Sequence, residues 1–414
     1  MYGDDVMAPS SERSCNAVTR TIAVKALILC TFRRWAWRLW LISSRGRKRV
    51  NIRRAAMLTQ WLVITVSILL APANSESAEE SIQSTETRDR QIFVDSAGRR
   101  VSVPKQIERV YAAGPPASII LYTLAPEKLI GWNRRLRADE KAFLPEQYGD
   151  LPVLGRLTGR GNTANVEVIL KARPDIIFDY GSVTPTYVSL ADRVQKQIGI
   201  PYILVDGAFT NTAKTYRLLG NLLGEKQRAE SLAVYAEETL ETLSALLARI
   251  PYDRRPRVYY GRRPAGLETG LGGSINVEIL ELVGAINVAA EGAGRGGLAS
   301  LSIEQILKWN PEIVLTLNKR FFASVFSDPL WQNVEAVRRG RVYLAPNLPF
   351  GWFDRPPSVN RLIGVKWLTA VLYPEHVKSD LRQITREFYR LFYHIDLDDK
   401  RLSQLLQNAM RTAP

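Results

Sequence analysis

Residues 165–180 read NVEVILKARPDIIFDY, and residues 302–317 read SIEQILKWNPEIVLTL. Glu167 falls on Glu304 and Pro174 on Pro311, both at an offset of 137 (304 − 167 and 311 − 174). Each copy sets a side-chain oxygen, Asn165 or Ser302, where a helix needs an N-cap. A short amphipathic run follows, a proline stops it, and a β-branched strand continues. A recurrence of this kind predicts two similar units, so the chain is expected to fold as two lobes.

The surroundings of both copies agree. Ile92–Asp95 and Arg100–Val103 flank a turn at Ala97-Gly98 and predict a hairpin. Strands are expected at 109–112, 128–132, 176–180 and 202–205, with a helix over 187–198. In the second half they are expected at 258–260, 313–317 and 342–344, with helices over 276–283, 359–373 and 378–392, the last two closing that half. Strands alternating with helices predict an α/β fold with central, mostly parallel sheets. Residues 211–250 keep helical periodicity for about 40 residues, interrupted only near Gly224, and predict a long connecting helix. The organisation is therefore an N-terminal lobe (91–210), a connecting helix (211–250) and a C-terminal lobe (251–414), with a ligand cleft between lobes.

Charge is concentrated at the front of the chain. Residues 1–56 hold 12 Lys/Arg against 3 Asp/Glu, a net of +9. Residues 57–73 are uncharged, so the remainder carries only +6 of the total +15. With no Lys/Arg-rich run or zinc-finger spacing in the folded region, nucleic acid is not expected as a partner. The run RGRKRVNIRR (45–54), the apolar stretch Trp61–Leu70 and the small residues Ala71-Pro72-Ala73 compose a secretory signal with a cut after Ala73. That stretch is about half a membrane span of roughly 20 residues, which favours cleavage over a retained anchor, the alternative reading. Met57 is an alternative start, which would make residues 1–56 an extension outside the protein. Residues 74–90 are polar and Ser/Glu-rich, a flexible linker. Cys15 and Cys30 both precede the cut, so the exported chain is expected to be cysteine-free, without disulfides or a lipidated cysteine.

Enzyme chemistry finds little to work with. The exported part has no thiol nucleophile, no Gly-x-Ser-x-Gly elbow and no Walker loop. Gly292–Gly297 follows Ala289-Ala290-Glu291 rather than a strand and reads as a connector, not a dinucleotide loop. The two histidines, His376 and His394, lie in the last 40 residues, away from the expected cleft, so a site for a bare transition metal is not expected.

Several segments in a fixed order carry a resemblance: VDSAGRRVSVP followed by ERV, then ARPDII, INVEILELVGAINVA (275–289), WNPEIV and GWFDRPPSVNRLIG (351–364). Over residues 91–412 the chain is similar to the periplasmic binding proteins of ferric-siderophore and vitamin B12 import. The resemblance implies two lobes joined by one long rigid helix, no enzymatic activity and no intrinsic cofactor. It also implies a monomer in the periplasm that delivers a small-molecule metal chelate, most simply a ferric siderophore, to an ABC permease and its ATPase. Corrinoid, haem (ligated by a cleft Tyr) and nickel or cobalt chelates remain open as cargo, as does a sensor or adaptor role. By position in the motif, Glu167 and Glu304 are the residues that would dock on the permease. A two-point electrostatic clamp is consistent with one carboxylate per lobe at matching helix starts. Each would equally favour its own helix dipole.

A cleft between two such sheets forms at the carboxyl ends of the strands. The loops there supply Trp132, Arg134, Arg135 and Tyr180 from one lobe, and Arg262, Arg263, Phe350, Trp352 and Phe353 from the other. Aromatic faces with guanidinium forks suit a large or anionic ligand such as an iron chelate.

Overall fold

The computed structural model describes residues 89–159, 161, 163–291 and 294–410. The basic extension, the signal with its cut after Ala73, both cysteines and most of the 74–90 linker lie outside the described residues.

Strands β1 (Arg90–Val94) and β2 (Arg100–Pro104) form the expected antiparallel hairpin, with Phe93 opposite Val101. Asp95 closes its turn by accepting from the Ala97 and Arg99 amides, both at 3.0 Å. Arg99 then donates to the Tyr202 carbonyl at 2.6 Å, which pins the hairpin to the N-terminal lobe.

That lobe is built on β3 (Val110–Ala112), α1 (Pro115–Leu124), α2 (Val166–Ala172), β4 (Ile176–Gly181), α3 (Pro185–Ile198) and β5 (Tyr202–Asp206). The three strands are parallel, with β4 in the middle. The strand expected at 128–132 reduces to single bridges, Leu129 to Val110 and Trp132 to Val153. Pro126–Lys128 form a 3-10 turn there, and Lys128 turns inward to the Ile107 carbonyl at 3.0 Å instead of extending a ladder.

The 211–250 region is two helices rather than one. α4 (Thr212–Leu223) ends at Gly224, whose φ of +82° suits glycine, and α5 (Lys226–Leu247) folds back against it. Arg217 on α4 reaches Glu230 at 2.7 Å and Glu237 at 2.8 Å on α5. Gly220 sits so near Ala229 that a β-carbon would collide with it. The long helix between the lobes is therefore α5 alone, 22 residues and about 33 Å.

The C-terminal lobe contains β6 (Arg257–Gly261), β7 (Glu268–Gly270), α6 (Glu278–Leu282), β8 (Ile286–Asn287), β9 (Leu298–Ser300), α7 (Ile303–Trp309), β10 (Ile313–Thr316), α8 (Lys319–Ser324) and β11 (Val342–Leu344). Its parallel sheet runs β8-β6-β10-β11, and β7 pairs antiparallel with β9 as a separate ribbon. Helices α9 (Arg361–Leu372), α10 (Leu381–Tyr393) and α11 (Asp399–Leu406) follow. Besides closing the second half, α10 reaches the first. The Tyr122 hydroxyl on α1 donates to the Tyr393 carbonyl at 2.6 Å, and Phe392 packs against Tyr216 and Tyr235. One apolar cluster thus runs through both lobes. Among the described residues no helix is long and apolar enough to cross a membrane.

The repeat has the same structure in both lobes. Asn165 Oδ1 caps α2 by accepting from the Glu167 amide at 2.8 Å, and Ser302 Oγ caps α7 by accepting from the Gln305 amide at 3.4 Å. Both helices end on a left-handed residue, Arg173 (φ +46°) and Asn310 (φ +42°), immediately before the paired prolines. Proline bars the helical conformation from its predecessor, which is why the chain turns at that point in each copy. The next residue, Asp175 or Glu312, hydrogen-bonds the backbone N–H entering the neighbouring strand, at Arg109 (2.8 Å) and Arg257 (3.4 Å).

Candidate functional site

The carboxyl ends of both sheets face the boundary between the lobes, and the lobes are stitched there by a few polar contacts. Ser358 donates to the Pro116 carbonyl at 2.8 Å, and the Phe209 amide donates to Glu278 at 3.0 Å. Glu278 also pairs with the buried Arg361 at 2.7 Å, whose guanidinium lies 5.0 Å from the Phe209 ring centre. Beside this seam is a cavity of about 270 Å³, lined by Gly181, Ser182 and Asp206–Ala208 on one side and Gly273–Ile275, Glu278 and Glu281 on the other.

The carboxylates of that cavity are already engaged. Asp206 accepts from the Ala208 amide and Asn211, Glu278 from Phe209 and Arg361, and Glu281 from the Gly273 amide at 3.1 Å. Among the described residues no group of three or more His, Cys, Asp or Glu is placed to hold a metal ion. The loop 273–281 was absent from the cleft set expected from sequence. Its signal was the INVEILELVG segment, which stood out as a motif without any indication of which side it faces.

The aromatic residues expected to line the cleft are instead core. Trp132 is 3% exposed; its indole N–H donates to the Tyr148 carbonyl at 2.7 Å and its ring packs on Tyr122 and Phe350. Trp352 is wholly buried, donating to the Tyr389 hydroxyl at 3.3 Å. Phe350 packs on Tyr393, and Phe353 lies 4.4 Å from the Tyr260 ring. Tyr180 is buried too, and burial pushes its phenol up to about 12, with Arg361 acting the other way. None of these five offers a face to a solute. The correction has a plain cause: large aromatics next to strand ends bury 150–250 Å² each, and two lobes sharing one core consume that surface.

The arginines divide differently. Arg262 is only 7% exposed, pinned by Asp354, by Glu268 at 3.0 Å and over the Tyr260 ring. Its neighbour Arg263 adopts a left-handed backbone (φ +65°), and its side chain is 51% exposed with one long contact to Glu268 at 3.3 Å. Burial alone would raise the Glu268 carboxyl; Arg262 and Arg263 hold it below its usual range. On the facing lobe Arg134 is 49% exposed and bonds both oxygens of buried Glu140 at 2.7 Å. Arg135 is exposed with no side-chain partner among the described residues. In the same turn burial raises Asp139, but Arg137, the Glu140 backbone and, more weakly, Lys319 of α8 in the other lobe keep it below the usual carboxylate range.

Arg355 was not foreseen. It follows Asp354 in the GWFDRPP segment, has φ +67°, is exposed, and makes no side-chain hydrogen bond among the described residues. Burial of part of its stem and the nearby Arg262 and Arg263 lower its pKa, the expected result of crowding like charges. Asp354 anchors the group, accepting from Asn276 at 2.9 Å and from the Arg355 amide at 2.7 Å while pairing with Arg262. The carboxyl edges of the lobes thus carry satisfied acids and several guanidinium groups with donors to spare.

Glu167 and Glu304 are both exposed, in the first turns of α2 and α7. The segment leading to α2 is tied through Leu157 to the Ala113 carbonyl, just past the end of β3. The segment leading to α7 is tied through Leu301 to the Leu267 carbonyl, beside the Arg262–Glu268 bridge. The Ser302 hydroxyl holds the Glu304 carboxyl below its usual range.

The sequence profile of the family described as periplasmic binding protein matches residues 127–348, more than half of the chain. The chain belongs to the periplasmic binding protein family. A solved ABC-transporter solute-binding protein from Sulfurospirillum deleyianum is 32% identical and superposes with a TM-score of 0.71, covering 76% of this chain and 99% of that one. The molybdate-binding protein MolA of Haemophilus influenzae is 25% identical over 73% of this chain and 90% of its own length. A cobalamin-binding protein of Halobacterium salinarum is 24% identical over 64% and 69% respectively. As a member of this periplasmic binding protein family the chain is the non-enzymatic solute-binding component of an ABC importer, and its partner is the importer's permease. The family also accounts for the two parallel-sheeted lobes.

Proposed function

We propose that the cargo is an anionic, metal-bearing solute gripped by arginines, with a molybdate-type oxyanion as the first candidate. The observation that carries this reading is the set of under-used guanidinium groups at the carboxyl edges, Arg263 and Arg355 beside the pinned Arg262, with Arg134 and Arg135 across. Guanidinium forks match oxyanions in geometry and remain charged at any physiological pH. The relative named as a molybdate-binding protein fits this reading. An anionic ferric siderophore is the second reading, favoured because the arginines come from both lobes and a many-sided chelate would meet both. Corrinoid and haem are less well served, since the aromatic faces that would cradle a macrocycle are buried.

We also propose that Glu167 and Glu304 are the two contacts for the permease, one per lobe and each exposed in the first turn of its helix. Capture and delivery are then separable. Isothermal titration calorimetry of the purified protein with molybdate, sulfate, an anionic ferric catecholate and cobalamin tests the cargo. Saturable binding of molybdate or the ferric chelate, with cobalamin silent, is the expected result; tight cobalamin binding with no anion bound would sink the reading. Glu167→Arg and Glu304→Arg are expected to keep that affinity and lose uptake in reconstituted transport. Full uptake in both would remove the docking assignment.

A further inference from the structure

Away from the cleft, a cavity of about 390 Å³ lies between α5 and the helices of the C-terminal lobe, α9 and α10, with the loop joining those two. Its walls include Leu246, Val377 and Ile384, apolar side chains that in closely packed helices would meet one another instead of an open space. Its cations are Arg249, Lys366 and Lys378, and none of the lining residues is acidic. His376 also lines it, and Glu375, 3.5 Å from His376, is not among the lining residues.

Lys366 is the telling member. It projects from an otherwise buried helix, is half-buried itself, and sits 5.1 Å from the Tyr235 ring centre. No hydrogen-bond acceptor reaches its ammonium among the described residues, and Glu238 and Glu387 act on it only through space. Burial lowers its pKa, the direction expected for a cation short of a counter-charge. The neighbouring Tyr235 hydroxyl is likewise buried without a partner. Arg249 and Lys378 are exposed and make no ion pair among the described residues.

We infer that this cavity is a second binding site, for a small amphipathic organic anion: a carboxylate, sulfonate or phosphate head on a hydrocarbon body. The head would meet Lys366 with Arg249 and Lys378, and the body would lie on the apolar walls. The volume is within the range of small-molecule sites, about 300–1,000 Å³. A carboxylate within reach of a partly desolvated ammonium supplies the charge-assisted hydrogen bonds that Lys366 lacks. The site lies along the helix between the lobes, so it is separate from the solute cleft and independent of what the cleft carries.

The test uses anilinonaphthalene sulfonate as the probe, with laurate and dodecanol as competitors. Fluorescence should saturate at one equivalent, laurate should displace the probe, and dodecanol, which has the same chain without the charge, should compete at least tenfold less well. Lys366→Gln should weaken laurate binding at least fivefold. Ala245→Trp, at an exposed wall position, should block it. Should Lys366→Gln fail to fold, the surface pair Arg249→Glu and Lys378→Glu reads the same charge requirement. Non-saturating binding, equal competition by dodecanol, or laurate affinity unchanged by Ala245→Trp would each overturn the proposal.

Discussion

Arg262 and Asp354 form an ion pair that water hardly reaches, joining the end of β6 to the GWFD segment across 92 residues of sequence. The carboxylate also takes hydrogen bonds from Asn276 and from the Tyr260 hydroxyl at 3.3 Å. Removing one partner of a buried pair leaves the other charge without compensation. Asp354→Asn is therefore expected to cost about 3 kcal/mol, read as a shift of the urea midpoint. Glu268 continues to hold Arg262, which keeps the figure at the lower end for such pairs. A change under about 0.5 kcal/mol would mean that the pair contributes nothing net.

Arg355 makes the opposite prediction. It is exposed and unpaired, so Arg355→Ala should alter stability by no more than about 0.5 kcal/mol. If its guanidinium meets the cargo, affinity should fall at least tenfold, and the remaining affinity should depend less steeply on salt than in the unaltered protein. Arg263→Ala should behave alike. Calorimetry at two salt concentrations separates a lost cargo contact, which changes the slope, from a structural disturbance, which changes the denaturation midpoint.

The repeat shows why fold was more legible than site. Its pattern is written in local signals: a capping side chain at Asn165 and Ser302, a proline after Arg173 and Asn310, and β-branched residues in β4 and β10. Such signals act within a few residues and can be read from one chain. Whether Trp352 faces solvent depends on Tyr389, 37 residues later, and Trp132 depends on Phe350, more than 200 residues away. Residue type identified both tryptophans as candidates for a flat ligand, and long-range packing removed them. Arg262 and Arg263 are adjacent in sequence, yet one is buried and pinned while the other is half-exposed with a single long contact to Glu268, because only the first reaches Asp354. The break at Gly224 is written locally, whereas the folding back of α4 on α5 rests on contacts across the turn, Arg217 with its two glutamates and Gly220 against Ala229.

His394 predicts acid sensitivity. Its ring is mostly buried at the end of α10, 3.2 Å from Arg228 Nη2 and 3.2 Å from the Tyr122 carbonyl, with the Tyr148 ring alongside. Burial, and next Arg228, lower its pKa from 6.5 to about 4. The unfolded chain then binds the proton more readily than the folded one between these values. The stability this group contributes is complete above pH 6.5 and is lost as pH falls towards 4, by roughly 3 kcal/mol. His394→Asn should flatten denaturation midpoints measured across that window. An unchanged slope would assign the acid sensitivity to other groups.

Arg109 and Arg257 make matching clasps on the two short helices that present Glu167 and Glu304. Arg109 donates to the Ala172 carbonyl at 2.7 Å and the Arg173 carbonyl at 3.1 Å, at the end of α2. Arg257 donates to the Trp309 carbonyl at 3.3 Å, at the end of α7, and its guanidinium is braced by Glu291 at 2.9 Å. A cation on the last carbonyls of a helix complements both its dipole and its unsatisfied acceptors. With only seven residues each, these helices have little stability of their own. Arg109→Gln and Arg257→Gln should each lower stability by about 1 kcal/mol and leave cargo affinity in place, because neither lies at the carboxyl edge. If the glutamates dock on the permease, each variant should also weaken binding to reconstituted permease severalfold, and the double variant should approach the loss seen in Glu167→Arg with Glu304→Arg. Permease affinity that tracks only the stability loss would reduce the two arginines to simple helix caps.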